Sequence, residues 1–166
     1  MEFTDQLKEN TAELLAEVQG VPEDIFNTQP AEGEWSIANV VEHMYRSEYG
    51  IAKLLDGETK PLTDRDTDSK IDTIKKKLTN FETKVKASGA ILPTEGEKSK
   101  DALLSSFKKN RTVITDLAKK KNPHELCLKF EHRFFGFLTR KEWIIFCVYH
   151  TRRHIHQIQH IKNRIS

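Results

Sequence analysis

The stretch 139–165, TRKEWIIFCVYHTRRHIHQIQHIKNRI, predicts the longest helix of the chain. Thr139 stands where an N-cap residue is expected, and Glu142, three positions later, completes the pattern of a capping box. Apolar residues recur at helical spacing from about Arg140 to Ile165 and form one apolar face. Such a face is typical of a helix that packs against other helices.

Four further segments carry apolar residues at helical spacing, whereas no segment shows a convincing strand alternation. These residues are Phe3, Leu7, Leu14 and Val18; Val40, Met44, Ile51 and Leu54; Ile71, Ile74, Leu78, Phe81 and Val85; and Leu103, Phe107, Ile114 and Leu117. We expect the third of these helices to be shorter than the others.

Loops with glycine, proline and short polar residues separate the predicted helices. The segment 20–36, GVPEDIFNTQPAEGEWS, predicts a loop that leads into the second helix, with Ser36 as its N-cap. The segment 88–99 separates the third helix from the fourth, which begins at Ser99 or Asp101.

The sequence therefore predicts an all-α protein, a four-helix bundle with an additional short helix in the long connection between bundle helices 2 and 3. A chain of 166 residues is long enough to bury a core of its own. We expect a single domain over residues 1–166.

Composition limits the classes of function. The 27 Lys and Arg residues nearly balance the 25 Asp and Glu residues, and this net charge of +2 argues against binding to nucleic acid or to an anionic membrane. The N-terminal segment lacks the apolar core of a signal peptide, and no apolar run is long enough to span a bilayer. With only two cysteines, we expect a cytoplasmic protein that contains thiols rather than disulfides.

Four of the seven histidines are concentrated between His150 and His160. Side chains advance by about 100° per residue around a helix, which places His150 and His154 within the apolar face. The same count places His156 and His160 on the opposite, polar side. On the second helix, His43 lies at the edge of the apolar face and can also point inward.

Two interpretations of the inward histidines remain open at this point. A histidine directed at a core needs a partner, and a hydrogen bond to a carbonyl or a carboxylate is the commoner solution. Alternatively, His150 and His154, one helical turn apart, bind a metal ion together with a third imidazole from a facing helix. Periodicity does not show whether the second and last helices meet at the depth of His43.

Two longer motifs narrow this choice. In EWSIANVVEHMYRSEYG, residues 34–50, a histidine follows eight residues after the Trp of a Trp-Ser helix start. In HRFFGFLTRKEWIIFCVYHTRRHIHQIQHI, residues 132–161, a Gly-x-Leu-Thr-x-x-Glu-Trp entry precedes His-x-x-x-His and a glutamine three residues later. Together these motifs resemble the DinB-like superfamily of four-helix-bundle metalloproteins.

This resemblance implies a DinB-like bundle over the whole chain, in which His43, His150 and His154 bind one divalent metal ion. It also implies that Gln157 packs between helices or hydrogen-bonds behind the ligands.

Two more residues are candidates for the pocket. His132 corresponds to a histidine that the family commonly follows with proline, and Arg133 replaces that proline, which leaves the shape of this loop open. Cys147 lies one turn before His150 on the same face, so its thiol could approach the ion, although burial in the core is the expected role of such a cysteine.

Three neutral imidazoles leave coordination positions open, as in catalytic rather than structural metal sites. We expect zinc or nickel, and copper or iron are also compatible with three imidazoles. The resemblance implies two reactions: hydrolysis by an activated water, or transfer of a low-molecular-weight thiol cosubstrate to an electrophile.

Hydrolysis would be assisted by a carboxylate base, and the sequence shows no convincing one. Glu42 points away from the face of His43, Glu142 projects from the polar side of the last helix, and Glu131 lies in a loop. This favours thiol transfer. Arg111 lies at the margin of the inward face of its helix and could pair with a substrate carboxylate, but we expect a surface arginine.

The leading hypothesis is a metal-dependent enzyme that acts on a small molecule as a thiol S-transferase or a hydrolase. The alternative is a non-catalytic, stress-associated helical bundle that binds a protein partner and contains a structural metal or a hydrogen-bonded histidine core. A homodimer is compatible with either function.

Overall fold

The computed structural model describes residues 2–84, 87 and 89–165 and consists mainly of helices. In chain order, its elements are α1 (Phe3–Val18), α2 (Glu23–Phe26), α3 (Ile37–Leu55), β1 (Thr59–Lys60), α4 (Ile71–Thr79), a 3-10 turn (Gly89–Ile91), α5 (Lys100–Lys120), β2 (Leu126–Cys127) and α6 (Arg140–Ile165). Helices α1, α3, α5 and α6 pack together, and β1 pairs antiparallel with β2. The predicted all-α four-helix bundle is confirmed, with α4 as the short helix of the long connection.

Side-chain caps begin three of the four bundle helices where the sequence predicts them. The Ser36 hydroxyl accepts the Asn39 backbone N–H at the start of α3, and the Ser99 hydroxyl accepts that of Ala102 at the start of α5. At α6, the Thr139 hydroxyl accepts the Glu142 backbone N–H at 3.2 Å, and the Glu142 carboxylate accepts the Thr139 backbone N–H at 2.9 Å. This reciprocal pair is the predicted capping box.

Two connections differ from the sequence prediction. The loop before α3 contains the short helix α2, whose Phe26 is fully buried. Helix α4 ends at Thr79, so Phe81 does not continue its buried face: this residue is 44% exposed, and its ring stacks on His156 at 4.1 Å. Val85, the last residue of the predicted pattern, lies outside the described residues.

No helix in the described part of the chain is both long and apolar enough to cross a membrane.

The buried apolar residues form two clusters along the bundle. One cluster contains Leu7, Ile51, Leu55, Ile114, Ile144 and Cys147, and the other contains Leu14, Val40, Met44, Phe107 and Ile158, each with further neighbours. Between the positions that enter the two clusters, each bundle helix contributes a buried polar residue to one shared hydrogen-bond network. We call these four residues, Asn10, Glu48, Arg111 and Thr151, the polar layer.

Arg111 is the centre of the polar layer. Its Nε lies 2.5 Å and its Nη2 2.8 Å from the two carboxylate oxygens of Glu48. The same guanidinium donates to Asn10 Oδ1 at 3.0 Å, to Thr151 Oγ1 at 2.7 Å and to the Leu7 carbonyl at 3.1 Å. Arg111 is only 3% exposed, so the expectation of a surface arginine is wrong. A buried carboxylate and buried acceptors on three other helices compensate its charge instead.

Replacement of Arg111 by methionine should lower the free energy of unfolding by about 3–5 kcal/mol, because the Glu48 charge would stay buried without its partner. Urea unfolding followed by circular dichroism measures the loss. Lys121→Met is the control, since its pair with Asp56 is exposed and should contribute less than about 1 kcal/mol. Equal small losses in the two variants would contradict the central role of the polar layer.

Candidate metal centre

Three histidines from two helices converge inside the bundle. His43 comes from α3, and His150 and His154 come from successive turns of α6. Nε2 of His150 lies 3.3 Å from Nε2 of His43 and 3.1 Å from Nε2 of His154. Among the described residues, these three form a group whose ligand atoms all lie within 4.8 Å of one another. The structure thus brings together the three residues that the sequence predicts as ligands.

Hydrogen bonds on the far side of two rings determine their tautomers. Nδ1 of His43 lies 2.9 Å from the carbonyl oxygen of Ile91, and Nδ1 of His154 lies 2.7 Å from Oε1 of Gln157. Both oxygens can only accept, so both Nδ1 atoms carry the proton. In the neutral rings, each Nε2 therefore directs a lone pair at the third imidazole.

His150 cannot donate a hydrogen bond to both neighbouring imidazoles and also find a partner for its own Nδ1. Its Nδ1 is buried and has no hydrogen-bond partner among the described residues. A proton at Nε2 would serve one neighbour and leave the Nδ1 lone pair buried, whereas a proton at Nδ1 would leave three lone pairs facing each other. Three converging nitrogen lone pairs are the donor set of a divalent transition-metal ion, so these residues fit such an ion.

Burial keeps the three imidazoles neutral. His43 is 4% and His154 is 9% exposed, and desolvation lowers the pKa of His154 to about 3. Desolvation also lowers the pKa of His150, which the neighbouring histidines reinforce, and that of His43, where the bond to Ile91 opposes it. At neutral pH all three are in the unprotonated form that binds metal.

Aromatic rings enclose the group. The Trp35 ring lies 5.2 Å from that of His43, and the Phe146 ring stacks on His150 at 5.1 Å with an interplanar angle of 16°. The His132 ring lies 5.3 Å from the Phe146 ring in an edge arrangement. His132 therefore neighbours the ring that stacks on His150.

His132 begins a tight turn of the loop before α6. Its backbone exchanges two hydrogen bonds with Gly136, whose φ of 73° lies in the left-handed region that glycine adopts readily. The His132 Nδ1 accepts the Phe134 backbone N–H at 3.1 Å, so the proton of the neutral ring is on Nε2. Desolvation, with help from Arg133 and Lys77, lowers the pKa of His132 to about 4.

The other residues that the sequence analysis considered for the site lie outside the triad. Gln157 hydrogen-bonds to His154, as described above. Cys147 is fully buried in an apolar cluster, and burial raises the pKa of its thiol well above the usual value, which disfavours the thiolate. Arg111 belongs to the polar layer, in which its guanidinium donates hydrogen bonds to other residues of that layer. His156 and His160 are exposed, as the helical count predicts.

Of the three carboxylates considered as bases, Glu142 differs from the sequence prediction. Glu142 is fully buried, because the segment before α4 covers the first turn of α6: Arg65 donates to both of its oxygens, at 2.9 and 2.8 Å, and the Lys70 backbone N–H donates at 2.8 Å. Glu42 does point away from the triad, but it is only 7% exposed and accepts hydrogen bonds from Thr94. Glu131 is exposed in the loop before α6.

Sequence reasoning missed the carbonyl of Ile91 and the ring of Trp35 as neighbours of His43. A backbone carbonyl carries no residue signature, so no pattern could have revealed it. Trp35 stands in the Trp-Ser helix start, and that motif was the available signal.

Comparisons with known proteins agree with this architecture. The family model of the DinB superfamily matches residues 6–158. An uncharacterized protein of Bacillus subtilis (strain 168), YuaE, is 24% identical over 154 residues, which cover 93% of each chain.

Two solved structures share the fold. YfiT from Bacillus subtilis, described as a probable metal-dependent hydrolase with an unusual four-helix bundle topology, superposes with a TM-score of 0.60 at 18% identity and covers 98% of this chain and 85% of YfiT. The four-helix bundle protein TT2238 superposes with a TM-score of 0.62, also at 18% identity, and covers 95% and 96% of the two chains. The family match extends over most of the sequence, and the chain therefore belongs to the DinB superfamily.

Proposed function

We propose that this protein is a divalent-metal-dependent enzyme that acts on a small molecule at His43, His150 and His154. The observation that carries the proposal is the convergence of three neutral imidazoles with Nε2 atoms 3.1–3.3 Å from that of His150. Two of these rings have their tautomer set by Ile91 and Gln157, which leaves the lone pairs free for an ion. The description of YfiT as a probable metal-dependent hydrolase supports the same view.

His43, His150 and His154 would hold a zinc or nickel ion with coordination positions left open, and such an ion would supply a lowered pKa to a bound water or to a substrate thiol. Other residues of the protein hold the three imidazoles in place. Gln157 and the Ile91 carbonyl hold two imidazoles by their Nδ1 protons, and Phe146 packs against the third. The Trp35 ring lies 5.2 Å from that of His43.

Transfer of a low-molecular-weight thiol to an electrophile is the reaction that the site supports best. Among the described residues, the buried carboxylates nearest in sequence to the ligands are already engaged: Glu42 by Thr94, and Glu48 by Arg111. A substrate thiol bound as thiolate is itself the nucleophile and needs no carboxylate base. Hydrolysis is the second candidate, favoured by the description of YfiT.

We further propose that the protein acts in the cytoplasm, where a thiol cosubstrate stays reduced. A homodimer is compatible with this function, and the near balance of charge gives no reason to expect binding to nucleic acid.

The purified wild-type protein should contain close to one equivalent of zinc or nickel, and His43→Ala should lose it, because two ligands on one helix hold an ion far less tightly than three. Plasma mass spectrometry of tag-free protein gives the metal content. His160→Ala is the matched control, since His160 is an exposed histidine of the same helix, and it should keep its metal. Absence of metal from the wild type after reloading with both ions would overturn the metal centre.

Metal binding should depend only weakly on pH between about pH 7 and 5.5. Burial lowers the pKa of all three candidate ligands, to about 3 for His154, so protons compete with the metal at lower pH than they would for ordinary imidazoles. If the three imidazoles had ordinary pKa values near 6.5, protonation of each would lower the metal affinity roughly tenfold between pH 7 and pH 5.5. Together they would lower it about a thousandfold. Competition with a chromogenic chelator measures the affinity, and circular dichroism verifies folding at both pH values. A loss approaching a thousandfold would show that the ligands titrate like exposed histidines.

The metal-loaded protein should accelerate the loss of free thiol in a mixture of a low-molecular-weight thiol and a panel of electrophiles. Removal of the metal with a chelator, or the change His154→Ala, should abolish the acceleration, because the thiolate would no longer be stabilised. A parallel panel of amide and ester substrates tests the second candidate. Turnover in that panel alone would favour hydrolysis. Turnover in neither panel would favour the alternative function, a non-catalytic helical bundle.

A further inference from the structure

The segment 90–94, which begins within the 3-10 turn and leads towards α5, is attached to α3 next to the candidate metal centre. Three residues of α3 bind it. Arg46 Nε donates to the Ala90 carbonyl at 2.7 Å, His43 Nδ1 donates to the Ile91 carbonyl at 2.9 Å, and Glu42 accepts from Thr94. His43, a candidate metal ligand, thus lies between Glu42 and Arg46, whose side chains bind the same segment.

Glu42 makes the strongest of these attachments. Its carboxylate accepts the backbone N–H of Thr94, and the Thr94 hydroxyl lies 3.0 Å from both carboxylate oxygens. The Lys98 ammonium lies 3.6 Å from the same carboxylate. Bonds between an ionised acceptor and backbone or hydroxyl donors are about twice as strong as neutral ones. The contacts of this buried carboxylate with Thr94 and Lys98 therefore hold the chain from residue 94 to residue 98.

The attachment at Thr94 determines where the Ile91 carbonyl lies. Only Leu92 and Pro93 separate the two residues, and the proline ring restricts the backbone φ angle between them. On the other side, Arg46 holds Ala90. The carbonyl that keeps the proton of His43 on Nδ1 is therefore fixed from both directions.

We propose that Glu42 is a positioning residue of the metal centre: by holding segment 90–94 on α3, it keeps the Ile91 carbonyl against His43 and so keeps the Nε2 lone pair of His43 directed at the ion. This inference rests on the proposed function, because it requires that the triad binds metal. It also predicts a coupling. A cation at Nε2 makes the Nδ1–H a stronger donor to Ile91, so metal binding and attachment of the segment stabilise each other by the same factor.

Two measurements on the full chain test the proposal, with Zn²⁺ as the probe. The first is the zinc affinity of wild type and Glu42→Ala, obtained by chelator competition. The second is hydrogen exchange of peptides that cover residues 89–98, with and without zinc. We expect zinc to slow exchange in this segment of the wild type. Glu42→Ala should weaken zinc binding by roughly tenfold and remove most of the zinc-dependent protection.

Two further variants separate positioning from stability. Glu142→Ala removes another buried carboxylate that accepts a backbone N–H from a connection, that of Lys70, but its contacts do not include the triad. This control should lower the melting temperature while zinc affinity stays at the wild-type value. Thr94→Val changes an exposed residue, so folding is preserved, and it should weaken zinc binding in the same direction as Glu42→Ala but less.

The outcomes distinguish the two proposals. A wild type that binds neither zinc nor, after reloading, nickel overturns the proposed function and this inference with it. Zinc binding by the wild type, with unchanged affinity and unchanged exchange in Glu42→Ala, overturns the inference alone. If Glu42→Ala does not fold, Thr94→Val decides: a weaker affinity supports the positioning role, and wild-type affinity overturns it.

Discussion

The ion pair between Arg111 and Glu48 is the constraint on which the alignment of the bundle depends. Apolar side chains alone would allow one helix to slide past another, whereas a buried guanidinium must meet its acceptors at fixed distances. These acceptors lie on α1, α3 and α6, so the polar layer aligns all four bundle helices at one level. Glu48 follows His43 on α3, and Thr151 directly follows His150 on α6. The contact that aligns the helices therefore also brings the third imidazole to the other two.

Features that depend on local physics could be predicted from the sequence, and features that depend on distant packing could not. The caps of α3 and α6 involve residues three positions apart, and the apolar face of α6 follows from helical geometry alone. Glu142 shows the limit of this reasoning. Its capping role was predicted, but its burial was not, because Arg65 and Lys70 approach it from more than seventy residues away in the chain. Arg111 was misjudged for the same reason, since its acceptors lie on three other helices.

The candidate site divides along the same line. Spacing on one helix places His150 and His154 together, and it also places Gln157 one turn beyond His154. The prediction that His43 joins these two histidines needed the family resemblance, because helical periodicity does not show which helices contact each other. The carbonyl of Ile91 lay outside any sequence argument: its role comes from the position of a backbone atom in a connection, and the side chain at that position has no part in it.

The three imidazoles are held by three different means, and this bears on which of them is most vulnerable. His154 is held by Gln157 and His150 by stacking on Phe146, both within α6, so the positions of these two imidazoles depend only on that helix. His43 depends on Ile91, and hence on a connection that Glu42 and Arg46 must hold in place. A change in that connection would leave an intact bundle with two well-oriented ligands and a third whose lone pair is free to turn away. The orientation of His43, which sequence patterns describe least, is thus the feature on which the proposed metal site depends most.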